Sequence, residues 1–167
     1  MFSNQIFRGN GMDSTDDYEA VEAKVHLVQP GYHSQNAFYV NKRKYFWSGI
    51  RQKINGANFV ANSYSGKVFV RVNETSTEDM VMQMSVVIRK YSDYDSPRYG
   101  NLGSVTIDNK DRWFELAFEF NPSEHIGNEP TDDYEFQFYT ESQQLGAFFV
   151  DEIYLVPNAY LVRQHGA

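Results

Sequence analysis

The sequence has no cysteine, which excludes disulfides, thiolate metal sites and cysteine nucleophiles. It has no apolar run long enough to cross a bilayer as a helix. Its first residues, "MFSNQIFRGN", lack the apolar centre of a signal peptide. Positive charge is scarce, with 15 Lys and Arg against 22 Asp and Glu and a net charge of −7. Phosphate-rich partners need a basic face, so this balance argues against nucleic acid and against an anionic membrane. Helical periodicity is nearly absent.

What is present is aromatic. The 167 residues include 13 Phe, 12 Tyr and 2 Trp. Such a chain is long enough for one domain with a core of its own, and residues 1–167 are read as a single module. Its abrupt ends suggest a piece of a longer, secreted or cell-surface protein.

Short alternating apolar segments are separated by Gly, Asn, Pro and polar residues. They predict strands at "EAKVHLVQ", "NAFYVNK", "SGIRQKI", "GKVFVRVN", "DMVMQMSVVIRK", "GSVTID", "WFELAFEF", "DYEFQFYTES" and "GAFFVDEIYLV". Turns are expected between them, among others at "INGANF" and "SDYDSPRYGN". Strands at this spacing predict an all-β fold, a two-sheet antiparallel β-sandwich of the jelly-roll type. "TDDYE" occurs twice, at Thr15–Glu19 and Thr131–Glu135, and with no periodicity around it reads as coincidence.

Side chains alternate between the two faces of a strand. Val68, Val70 and Val72 are thus expected in the core, with Phe69 and Arg71 on the other side. Phe136 and Phe138 are expected inside, with Gln137, Tyr139 and Glu141 outside. Gln83 and Ser85 oppose a row of Met80, Met82, Met84, Val86 and Ile88. These outward faces read either as solvated surface or as a concave, hydrogen-bonding binding face.

Catalytic patterns are weak. Glu115 and Glu119 lie on one strand face about 13 Å apart, beyond the spacing of a glycosidase pair. No Ser has a nucleophile-elbow context. His26, His33, His125 and His165 have no metal-ligand spacing.

The two tryptophans differ. Trp113 opens a strand and reads as a core-boundary residue. Trp47, in "KYFWSGIRQK", stands among basic and polar residues just before Gly49. An exposed Trp forgoes about 1–3 kcal/mol of burial, which a stacked ligand would restore. A sugar ring offers an apolar face to such a platform and hydroxyls at its edge.

The segment "HSQNAFYVNKRKYFWSGIRQKI" carries His33, Ser34, Arg43, Trp47 and Gly49 at the spacing of family 22 carbohydrate-binding modules. "GKVFVRVN", "DRWFELAFEF", "FQFYTES" and "AFFVDEIYLV" follow in that family's order. The chain thus resembles these xylan-binding modules of xylanases, which are related in their β-jelly-roll fold to families 4, 9 and 16. The resemblance spans about residues 24 to 157. It implies Trp47 as stacking platform, Tyr99 as the cleft tyrosine with Tyr94 its competitor, and Tyr139 with Glu141 as the polar pair. Gln137 joins them by alternation, while Arg71 and Gln83 rest on face alternation alone. The family places an acidic residue after the first-strand Phe to help hold a structural calcium. Here Arg8 follows Phe7, and Asp151 matches the calcium-side Asp, so another oxygen donor from "GMDSTDD" would be needed.

The expected function is non-catalytic binding of a β-linked plant polysaccharide, xylan foremost, that targets an attached glycoside hydrolase. Lys44, Arg51 and Lys53 around Trp47 suggest a uronic-acid-bearing chain. The alternatives are a jelly roll that packs on a catalytic domain without binding sugar, and a small polysaccharide lyase using Arg71, His26 and Tyr139.

Overall fold

The computed structural model describes residues 7, 17–32, 36–59, 61–72, 80–90, 93–107, 112–122, 133–140 and 146–158, with residues 57, 80–90, 93–99 and 133 described by backbone alone. Among these, ten strands run in chain order: β1 (Glu19–Val21), β2 (Lys24–Val28), β3 (Ala37–Asn41), β4 (Gly49–Asn55), β5 (Tyr64–Val72), β6 (Met80–Lys90), β7 (Asp93–Ile107), β8 (Phe114–Phe120), β9 (Asp133–Thr140) and β10 (Phe148–Pro157). They form two antiparallel five-stranded sheets, ordered β1-β4-β9-β6-β7 and β2-β3-β10-β5-β8. The predicted β-sandwich is the observed one.

The core follows from alternation. Ile50 and Ile54 of β4 and Tyr134, Phe136 and Phe138 of β9 face inward from the first sheet. Val68, Val70, Val72, Leu116, Phe118, Phe120, Phe148 and Val150 face them from the second. Phe59 enters from the segment before β5 and packs edge-on against Tyr64, Phe120 and Tyr134, at 4.8–5.4 Å between centroids. Phe7 meets Phe136 edge-on at 5.1 Å. Each such pair contributes about 0.5–1.5 kcal/mol beyond burial, so Phe and Tyr weld the sheets where many sandwiches use aliphatic residues.

Two expectations are corrected. "SDYDSPRYGN", expected as a turn, lies almost wholly within β7, which runs from Asp93 to Ile107 instead of beginning near Gly103. Its polarity is that of an edge strand, which has a neighbour on one side only. β1 was not expected, because three residues with no apolar alternation give no period to read.

Candidate functional site

The segment between β3 and β4 is a turn built to display aromatic rings. Lys42, at φ 52°, takes the left-handed conformation and redirects the chain as it leaves β3. The amide of Ser48 donates to the carbonyl of Tyr45 at 3.0 Å, and the buried Ser48 hydroxyl accepts the Tyr45 N–H at 2.9 Å. Arg43 is itself buried, 6% exposed. Its Nε donates to the Ser48 carbonyl at 2.6 Å, Nη2 to the Phe46 carbonyl at 2.7 Å, and Nη1 to the Gly146 carbonyl at 3.0 Å. Its guanidinium also lies 5.4 Å from the Phe148 ring centroid. Burial lowers the Arg43 pKa to about 10, still charged at neutral pH.

On this clamped backbone Tyr45, Phe46 and Trp47 are 40%, 46% and 38% exposed. Tyr45 and Trp47 stack with centroids 4.7 Å apart and planes 15° from parallel.

The turn leads into Gly49, where β4 meets β9. The ladder places Gly49, Tyr139 and Gln83 side by side on three neighbouring strands, with Ser104 of β7 beyond. The next outward row is Glu19, Arg51, Gln137, Ser85 and Asn101, and the third is Lys53, Glu135, Val87 and Tyr99. Gln137 and Tyr139 are half-buried on this face. The register therefore puts Gln83, Tyr99, Gln137 and Tyr139 on one face of the first sheet, beside the Trp47 turn. Tyr94 lies in the irregular stretch of β7 between the Lys90–Asp93 and Ile88–Arg98 pairs. Glu141 lies outside the described residues.

The positive charges near Trp47 are committed. Arg51 reaches Glu19 at 3.2 Å and the almost wholly buried Glu135 at 3.4 Å, and Lys53 reaches Glu135 at 3.8 Å. Lys44 sits 5.2 Å from the centroid of the Tyr45 ring. The two "TDDYE" copies supply this arrangement: each buries its Tyr and extends its Glu to Arg51, from opposite sides of β4.

The structure does not bring Arg71 to this face. It belongs to β5, in the other sheet, because alternation fixes a residue's side of its strand but not which sheet the strand joins. There its guanidinium packs on Phe149 at 4.2 Å and Trp113 at 5.6 Å, extending a cross-strand row through Tyr39 and His26. Tyr39 and Phe149 stand 4.8 Å apart with planes 36° from parallel. Trp113 is half-buried in this outer row, against Arg71 and Tyr32, instead of at the core boundary.

Asp151 is buried on β10, and its carboxylate accepts the N–H of Tyr32 at 2.6 Å and of Glu152 at 2.8 Å. It thereby pins the turn before β3 to the second sheet. Calcium takes about six to eight oxygen ligands, and among the described residues no group of three or more acidic or His side chains is placed to hold a metal. Residues 11–16, which carry the further oxygen donor expected for a calcium site, lie outside the described residues.

Sequence reasoning missed Tyr45 and the anchoring role of Arg43. The signal was present: three consecutive aromatic residues between a basic and a polar segment, with Arg43 two residues before them.

No protein-family model and no curated protein matches the sequence. Solved structures do match. The C-terminal family 22 carbohydrate-binding module of Clostridium thermocellum Xyn10B is 19% identical, with 89% of this chain and 90% of that one covered and a TM-score of 0.72. The CBM22-2 xylan-binding domain of Paenibacillus barcinonensis Xyn10C is 15% identical, with 89% and 96% covered and a TM-score of 0.76. The CBM22-1-GH10 modules of Clostridium thermocellum endo-1,4-beta-D-xylanase 10B, complexed with xylohexaose, are 14% identical over 95% of this chain and 29% of that one, with a TM-score of 0.75. The chain therefore has the fold of the family 22 carbohydrate-binding modules.

Proposed function

We propose that this chain is a non-catalytic module that binds a β-linked plant polysaccharide, xylan foremost, and keeps an attached glycoside hydrolase on its substrate outside the cell. The observation that carries the reading is Trp47. A large apolar ring stays 38% exposed on a turn whose carbonyls are held by a buried guanidinium. A protein that merely needed a turn would not place Trp there and bury Arg43 to fix it.

The rows beside that turn supply the complement. Trp47 stacks on the apolar face of a sugar ring, and Tyr139, Gln137 and Gln83 offer hydrogen bonds to its hydroxyls. Tyr99 occupies the far strand of the same face. Several weak contacts along a chain give modest affinity, and attachment to an enzyme converts that into local concentration. The likeness to solved xylan-binding domains supports this ligand class.

The charge pattern supports a neutral chain over a uronic-acid-bearing one, because Arg51 and Lys53 already face Glu19 and Glu135. The polar outer rows weigh against a jelly roll that only packs on a neighbour. A lyase reading loses its residues, since Arg71 and His26 lie on the sheet opposite Tyr139.

The test is calorimetric titration with xylohexaose, neutral arabinoxylan, glucuronoxylan and mixed-linkage glucan. Binding to xylan ligands is expected, with little difference between neutral and uronic-acid-bearing forms. Trp47→Ala is expected to weaken it at least tenfold, about 1.4 kcal/mol, without unfolding the protein. No heat with any of these ligands at millimolar concentration would sink the proposal.

A further inference from the structure

We infer that Tyr45 is a positioning residue for ligand binding: it occupies one face of the Trp47 indole, fixes the ring's orientation and leaves a single face for a sugar. The inference rests on the proposed function and adds to it a residue that the family resemblance does not assign.

The argument begins with the backbone. In an extended strand, residues two apart share a side, but their rings stand too far apart to stack. The Tyr45–Ser48 turn closes that gap, since Ser48 N–H binds the Tyr45 carbonyl and Ser48 Oγ binds the Tyr45 N–H. Arg43 then holds the carbonyls of Phe46 and Ser48, the residues on either side of Trp47. Every peptide around Trp47 is thus tied, and only its side-chain rotation remains free.

Tyr45 removes that freedom. Its ring lies 4.7 Å from the indole and 15° from parallel, so it covers one indole face. The Lys44 ammonium lies 5.2 Å from the centroid of the Tyr45 ring. Trp47 stacks with no other aromatic ring among the described residues, which leaves its opposite indole face for a ligand. Holding the indole before the ligand arrives removes part of the ordering cost of binding. It also dictates that the ligand is stacked on one side at this position instead of being clasped between two rings.

The experiment uses a Trp113→Phe parent, in which Trp47 is the only tryptophan. Acrylamide quenching reports the exposure of its indole, and titration with xylohexaose reports affinity. In Tyr45→Ala, quenching is expected to rise and affinity to fall about three- to tenfold. Tyr45→Phe, which keeps the stack, is expected to restore both. Tyr45 is 40% exposed and outside the core, so the melting temperature reports separately on folding. Unchanged affinity in Tyr45→Ala, or unchanged Trp47 quenching, overturns the inference while the proposed function stands. A parent that binds neither xylohexaose nor xylan overturns the proposed function and the inference with it.

Discussion

Gly49 stands directly across the ladder from Tyr139, with no room between the strands for a methyl group. A Cβ at Gly49 would run into the Phe138 carbonyl oxygen and lie 3.2 Å from the Tyr139 Cβ. The backbone cannot yield cheaply, because both strands are paired on their other sides. Gly49→Ala is therefore expected to destabilise the fold by about 1–3 kcal/mol and to displace Tyr139 from the binding face. Urea unfolding measures the first effect and xylohexaose titration the second. A variant with full stability and affinity would show that the strands part more easily than their packing implies.

That glycine also marks how far sequence reading reached. Alternation alone placed Phe136 and Phe138 inside, with Gln137 and Tyr139 outside, because each strand's period is carried by its own residues. Arg71 shows the limit. Its outward orientation was legible, but the sheet joined by β5 depends on pairing with β8 and β10, which no local pattern encodes. The "TDDYE" copies show it again. They share no surrounding period in the sequence, and only the fold sets β1 and β9 on either side of β4, where their Glu residues converge on Arg51. Sites assembled from several strands are legible only by face, and the face becomes a site when strand order is known.

Arg43 offers a test of the clamp. Arg43→Met leaves the carbonyls of Phe46, Ser48 and Gly146 without this donor, at an expected cost of about 2–4 kcal/mol. Arg43→Lys is expected to recover part of this, since an ammonium cannot reproduce the planar guanidinium fork. The pH dependence has a definite sign. Burial lowers the folded pKa to about 10, below that of an arginine in the unfolded chain. Below pH 10 both states are protonated, so wild type and Arg43→Met should differ by a constant amount from pH 6 to 9. Above that, the unfolded chain binds more protons, and the cost of burying the charge is relieved as pH rises beyond about 10. A difference that changed across pH 6 to 9 would show another group titrating with the clamp.

The two carboxylates on Arg51 should not be equivalent. Glu19 is 55% exposed and Glu135 only 1%. Glu19→Gln is expected to change stability by less than about 0.5 kcal/mol, as for most exposed ion pairs. Glu135→Gln removes the charge that both Arg51 and Lys53 face, and about 1–2 kcal/mol is expected, moderated by the partial exposure of the two cations. Urea denaturation of the two variants compares them directly. Equal effects would mean that Glu135 is screened by solvent in spite of its burial.

Arg71 separates the two outer faces of the sandwich. Its guanidinium packs against Phe149 and Trp113 on the sheet opposite Tyr139, in a row that continues through Tyr39. A guanidinium already lies over the Phe149 ring, 4.2 Å from its centroid, so this row serves as a stabilising ladder. Arg71→Ala is expected to cost about 1 kcal/mol from lost cation–π contacts and stem packing. Xylohexaose affinity should stay within about twofold of wild type, a change of about 0.4 kcal/mol. Trp113→Phe should behave alike, retaining an aromatic partner for Arg71. A large affinity loss in Arg71→Ala with stability preserved would move the binding face to the second sheet. Trp47→Ala measured beside it then decides the matter, because Trp47 leads directly into β4 of the first sheet, and only one of the two substitutions should abolish binding.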